Sequence, residues 1–198
     1  MNGSTGKKEY FEKDVHGVNK NLRRDVEAAL HFDATSGKVL PRRTVIGLST
    51  TPLILVENGL PEDSDIVTRV THIRKLAKGD RYGHSLSVDE IVLLPKYYSD
   101  PCSIYIDKES YLAVIDMKAT NKKGNYSLVV VVLTPTHKGS ANTFLASAYP
   151  IEEEMNQHFA KLKRHGKLIY TKKDEPKGKS EDESSNSIIT SHNPTALG

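Results

Sequence analysis

Residues 101–133 read PCSIYIDKESYLAVIDMKATNKKGNYSLVVVVL, and this stretch decides the fold class. Three segments in it, Pro101–Ile106, Tyr111–Asp116 and Tyr126–Leu133, are rich in the β-branched and aromatic residues that favour extended backbone. The breaks between them are short and polar, Asp107-Lys108-Glu109-Ser110 and Asn121-Lys122-Lys123-Gly124-Asn125. Connections of this length join antiparallel neighbours, because parallel strands need a long crossover. Downstream, Thr143–Tyr149 reads as a fourth strand and Lys167–Tyr170 as a short returning one. Between them Met155, Phe159 and Leu162 recur at helical spacing, with Glu152, Glu153 and Glu154 at the amino end, where the helix dipole favours carboxylates.

Upstream of Pro101 the period is helical. Thr50-Thr51-Pro52 places a proline in the first turn of a helix carrying Leu53, Ile54, Leu55 and Val56, and Asn58-Gly59 stops it. Val67, Val70, Ile73 and Leu76/Ala77 predict a second helix over 67–77. Ser87-Val88-Asp89-Glu90 is a capping box opening a third, followed by Ile91, Leu94 and a stop at Pro95. A short helix over 21–30 has Leu22, Val26, Ala29 and Leu30 on one face. The expected class is α+β: short helices, then a mainly antiparallel four- to five-stranded meander, with a helix after the fourth strand.

Composition sets the limits. The chain has 198 residues, 37% of them hydrophobic, and a net charge of +3, too mild to argue for nucleic-acid binding. Apolar residues concentrate between Thr44 and Lys172, which predicts one domain over 44–172. Residues 1–43 read as a polar segment with one short helix. Residues 173–198 include DEPKGKSEDESSNS, which buries too little to offset its ordering entropy and reads as a disordered tail. Cys102 is the single cysteine, so a disulfide framework and multi-cysteine metal sites are excluded. The eight histidines include no pair at i, i+4, and no metal or cofactor is expected. No apolar run approaches the ~20 residues of a membrane helix. A soluble chain that avoids membranes is expected. Phosphate-loop, dinucleotide, zincin and nucleophile-elbow motifs are missing.

What remains is an order of small pieces. The Thr51-Pro52 helix ends in Asn58-Gly59-Leu60, and the next ends in His72-Ile73-Arg74-Lys75. Gly83-His84-Ser85-Leu86-Ser87 follows, then Leu94-Pro95 leading to Asp100-Pro101, the strands, Ala146-Ser147-Ala148-Tyr149 and Lys167-Leu168-Ile169-Tyr170. In this order, over Val45–Lys172, the chain resembles the phage-associated nuclease-like domains of the barnase–EndoU–colicin–RelE superfamily. These close phage head-morphogenesis (MuF-type) and polymorphic-toxin proteins. The resemblance implies a metal-independent ribonuclease, a toxin acting on RNA in a bacterial cytoplasm, with an immunity or antitoxin protein as a possible partner. Carried over residue by residue, it implies Lys75, His84, Ser147 and Tyr170 as catalytic, and Tyr149 and Lys172 as substrate-binding.

Metal-free RNA cleavage uses the substrate's 2′-hydroxyl to attack the adjacent phosphorus and leaves a 2′,3′-cyclic phosphate. On this reading His84 serves as base or acid near neutral pH. Lys75 stabilises charge growing on the phosphorane, and Ser147 donates to a phosphate oxygen. Tyr170 or Tyr149 supplies a proton or a stacking surface. No second strong acid–base group stands beside His84 in the sequence, since Glu90 belongs to the capping box. Either a tyrosine makes the second proton transfer, or the domain is a weak or inactive nuclease. The rival reading is a non-catalytic RNA- or protein-binding module, its contact face formed by Lys161, Lys163, Arg164 and Lys167 near His165.

Overall fold

A computed structural model describes residues 11–31, 39–78, 85–120, 126–135, 142–151 and 155–172. In chain order its elements are α1 (Leu22–Leu30), β1 (Val45–Thr50), α2 (Leu53–Glu57), β2 (Asp65–Arg69), α3 (Val70–Lys78), α4 (Val88–Tyr98), β3 (Ser103–Asp107), β4 (Ser110–Thr120), β5 (Tyr126–Pro135), β6 (Asn142–Ile151), α5 (Met155–His165) and β7 (Lys167–Thr171). The strands form one sheet in the order β1-β2-β6-β5-β4-β3-β7.

The α+β class holds, but the sheet is not a four- to five-stranded antiparallel meander. It has seven strands and is mixed. The meander is real from β3 to β6, each pair antiparallel, and β7 adds antiparallel to β3. At the other side β1 and β2 pair with each other, and β2 joins β6 in parallel through Asp65↔Asn142, Ile66↔Thr143 and Val67↔Phe144. The expected helix over 67–77 is a strand as far as Arg69 and a helix only from Val70. Ile66 and Val67 are both fully buried. A strand covered on both faces loses the alternation that would mark it, and its apolar run then blends into the helical spacing that follows.

One face of the sheet carries the principal core. Ile46, Ile66, Ile104, Ile115, Val129, Val131, Leu133 and Leu145 meet Leu22 and Val26 of α1, Ile73 and Leu76 of α3, and Ile91 and Leu94 of α4. The folded body therefore starts well before Thr44, since α1 contributes Leu22, Val26 and Ala29, all buried. On the second face α5 lays Phe159 and Leu162 beside Tyr105, Val114, Leu128 and Val130. The segment preceding α1 covers β1 and β2 on that side. The Phe11 ring lies where a side chain at Gly47 would stand, 1.7 Å from an ideal Cβ, so the strand needs glycine there.

Helix α4 runs through Pro95 to Tyr98 instead of stopping. Pro95 sits in the last turn, where it removes one hydrogen bond only, and burial of Tyr98 offsets the loss. The Tyr98 hydroxyl lies 2.6 Å from Ser49 Oγ. A bulge between Gly47 and Ser49 turns Ser49 onto the face where it meets that tyrosine.

Candidate functional site

Helix α3 buries Val70, Ile73 and Leu76. Of the residues between them, Arg74 reaches inward to the Ala29 and Leu40 carbonyls, and Lys75 is exposed. Arg69, immediately before the helix, His72 and Lys75 follow one another at three-residue spacing, so they stand along one side of the helix. Arg69 and Lys75 are exposed, and the Arg69 guanidinium lies over the Phe144 ring of β6, 5.2 Å from its centroid. His72 is half-buried between them. Its protonation is held below the usual histidine range by burial first, then by the positive charges of Arg69 and Lys75, while a hydrogen bond with the Leu145 carbonyl pulls the other way. Its Nδ1 is buried and unpartnered. A neutral imidazole wedged between two cations is a joint between α3 and β6, with two charged arms facing solvent.

The chain then returns to this place. The Leu86 N–H donates to the Leu76 carbonyl at 3.0 Å, which ties the chain just before α4 to the turn of α3 that carries Lys75. Ser87 and Glu90 complete the capping box expected at the start of α4, Ser87 N donating to Glu90 Oε2 at 2.7 Å and Glu90 N to Ser87 Oγ at 3.2 Å. His84 lies outside the described residues.

No family model, curated protein or solved structure matches this chain.

The remaining expected site residues are not gathered around Lys75. Ser147 pairs with Val132, and Tyr149 with Val130, which places both on the second face of the sheet, away from α3. They share that face as their spacing predicts, and burial raises the Tyr149 phenol above its ordinary range. Tyr170 pairs with Ile104 and packs against the principal core, so it stands on the α3 side, but in β7. Four strand steps separate β7 from β6, roughly 19 Å at the usual strand spacing. Lys172 beside it donates to Asp100 Oδ2 at 2.7 Å, and this carboxylate raises its proton affinity. The basic residues Lys163, Arg164, His165 and Lys167 are all exposed at the α5–β7 corner, as is Lys161.

Among the described residues no three His, Cys, Asp or Glu side chains come together as a metal would require. Cys102 is half-buried, and its thiol is pushed above its ordinary range by burial and by Asp116. That makes it a poor nucleophile. The sequence marks His72 only as part of the His72–Lys75 helix end and gives it no role, and does not mark Arg69. Their spacing with Lys75 was visible as i, i+3, i+6, but only the structure shows that β2 and β6 bring Phe144 and the Leu145 carbonyl against them.

Proposed function

We propose that the chain is a metal-independent ribonuclease whose active surface is built on α3 and the loop that follows it, with Lys75 and His84 as its catalytic pair. The supporting observation is the Leu86–Leu76 hydrogen bond. Position 84 lies two residues before the point at which the chain is tied back to the turn of α3 next to Lys75. Arg69 adds a second exposed cation to the same side of the helix. Two neighbouring cations suit a phosphodiester whose charge grows during in-line attack, and they need no metal to do so. His84 would act as base or acid toward the 2′-hydroxyl or the leaving 5′-oxygen. Ser147, Tyr149, Tyr170 and Lys172 would contact parts of the RNA away from the scissile bond.

The test is cleavage of several RNAs in EDTA with product analysis. Cyclic phosphate ends, loss of activity by about a hundredfold or more in His84→Ala, and a comparable loss in Lys75→Ala are the expected results. Intact RNA with clean protein overturns the reading.

A second reading, a binding module without catalysis, is favoured by the exposed basic corner of Lys163, Arg164, His165 and Lys167, on the other side of the sheet from Lys75. Under it, RNA binds in a salt-sensitive manner, no products form, and neutralising that corner removes binding while Lys75→Ala does not.

A further inference from the structure

A cavity of about 490 Å³ opens at the outer edge of β1, between the turn 14–18 and α4. Its size is that of a small-ligand site. The turn is held rigidly. Asp14 Oδ1 accepts the N–H groups of His16 and Val18 at 2.8 and 2.9 Å, and Gly17 adopts φ +74 against Thr50. Val18, Pro52, Val92 and Pro95 make flat apolar walls, and Ser49 lies within the lining. Lys96 is exposed at the rim and has no ion pair among the described residues; Asp14 and His16 stand across from it on the turn. Asp14 is held ionised by the Val18 and His16 amides and by the nearby His16 and Lys20 charges.

The cavity thus offers an apolar slot, a carboxylate acceptor for N–H groups at Asp14, and one cation at Lys96. A ligand that satisfies all three has a flat body bearing N–H donors and an anionic group attached to it. We infer that the cavity is a nucleotide subsite, with the base between Pro52, Val92 and Pro95 and the phosphate at Lys96. The choice of ligand rests on the ribonuclease reading. The site itself is distinct from the Lys75 surface, because Ser49 lies at the opposite end of β1 from Val45, which pairs with Arg69.

The experiment is titration of the full chain with each of the four 5′-mononucleotides, and with inorganic phosphate, followed by amide chemical shifts. At least one nucleotide should saturate with Kd on the order of 1 mM or tighter and shift Val18, Val92 and Lys96. Lys96→Gln, at an exposed position, should weaken it by about tenfold, and Val92→Trp, which fills the slot, should remove it. Thermal melts check that both variants stay folded. Absence of saturable binding for all four overturns the inference. So does binding unchanged in Lys96→Gln, or phosphate binding as tightly as any nucleotide. Nucleotide binding at these residues in a protein that leaves RNA intact would overturn the ribonuclease reading alone. RNA cleavage without nucleotide binding would overturn the subsite alone.

Discussion

Asp65 begins β2 with its side chain only 1% exposed, and Lys13 Nζ lies 2.9 Å from its Oδ1. A buried carboxylate keeps its charge only if something answers it, so removing the lysine costs far more than a surface pair would. Lys13 is itself 26% exposed, which moderates the effect. Lys13→Met should destabilise by about 2 kcal/mol in denaturant unfolding. Adding Asp65→Asn should recover part of that loss, because the stranded charge is then gone. His72 gives a second residue-scale outcome. Its native proton affinity lies below the ordinary histidine value, so the native state binds fewer protons than the unfolded chain once the pH falls below about 6.5. Its neutral form is stabilising above that value, and this contribution is lost progressively below it. Unfolding at pH 7, 6 and 5 should therefore show a declining stability that His72→Gln makes flatter. An identical slope in the variant would show that other groups carry the acid sensitivity. Neither behaviour was legible in the sequence, where Lys13 and His72 are single letters in polar or amphipathic surroundings. What separates them from a dozen similar residues is burial against chain that is distant in sequence.

Helix and turn boundaries were legible wherever the local chemistry is self-contained. The Ser87–Glu90 box closes as its spacing predicts, and Ser87→Ala should cost about 1 kcal/mol, read as a shift in the denaturation midpoint with an unchanged slope. Gly59 ends α2 at φ +105, a conformation that L side chains resist, and an added Cβ would stand 2.8 Å from Tyr111 Oη. That hydroxyl donates to the Gly59 carbonyl at 3.0 Å, tying the α2 turn to β4. Gly59→Ala should destabilise by about 2 kcal/mol through backbone strain and the contact together. Tyr111→Phe in the Gly59→Ala background should relieve the contact but leave the strain. Strand β5 was legible because its Val129–Val132 run has one natural reading, and β4 from the apolar Tyr111–Ile115 set off by polar turns. Strand β1 and the first three residues of the expected 67–77 helix were not, because Val45–Thr50 and Asp65–Arg69 are short and largely buried.

At the scale of the whole molecule, the hairpins from β3 to β6 follow from local turns, whereas the β2–β6 pairing joins residues about 77 apart and no local signal announces it. The position of α1 is of the same kind. Its amphipathic pattern was visible, but nothing in residues 22–30 says that they complete a core shared with α3 and α4. This makes the extent of the folding unit testable. Burial of Leu22 and Val26, with Ala29 between α1 and its neighbours, contributes roughly 5 kcal/mol by the usual side-chain values. The Lys13–Asp65 pair and the Phe11–Gly47 contact would be lost with them. A domain of this size has a net stability of only about 5–15 kcal/mol. A chain restricted to 44–172 should therefore unfold without a sharp transition and expose apolar surface that binds a hydrophobic dye, whereas 11–172 should melt cooperatively and close to the full chain. A cooperative 44–172 would mean that α1 decorates the core without completing it, and that α3 and α4 can close over the sheet alone.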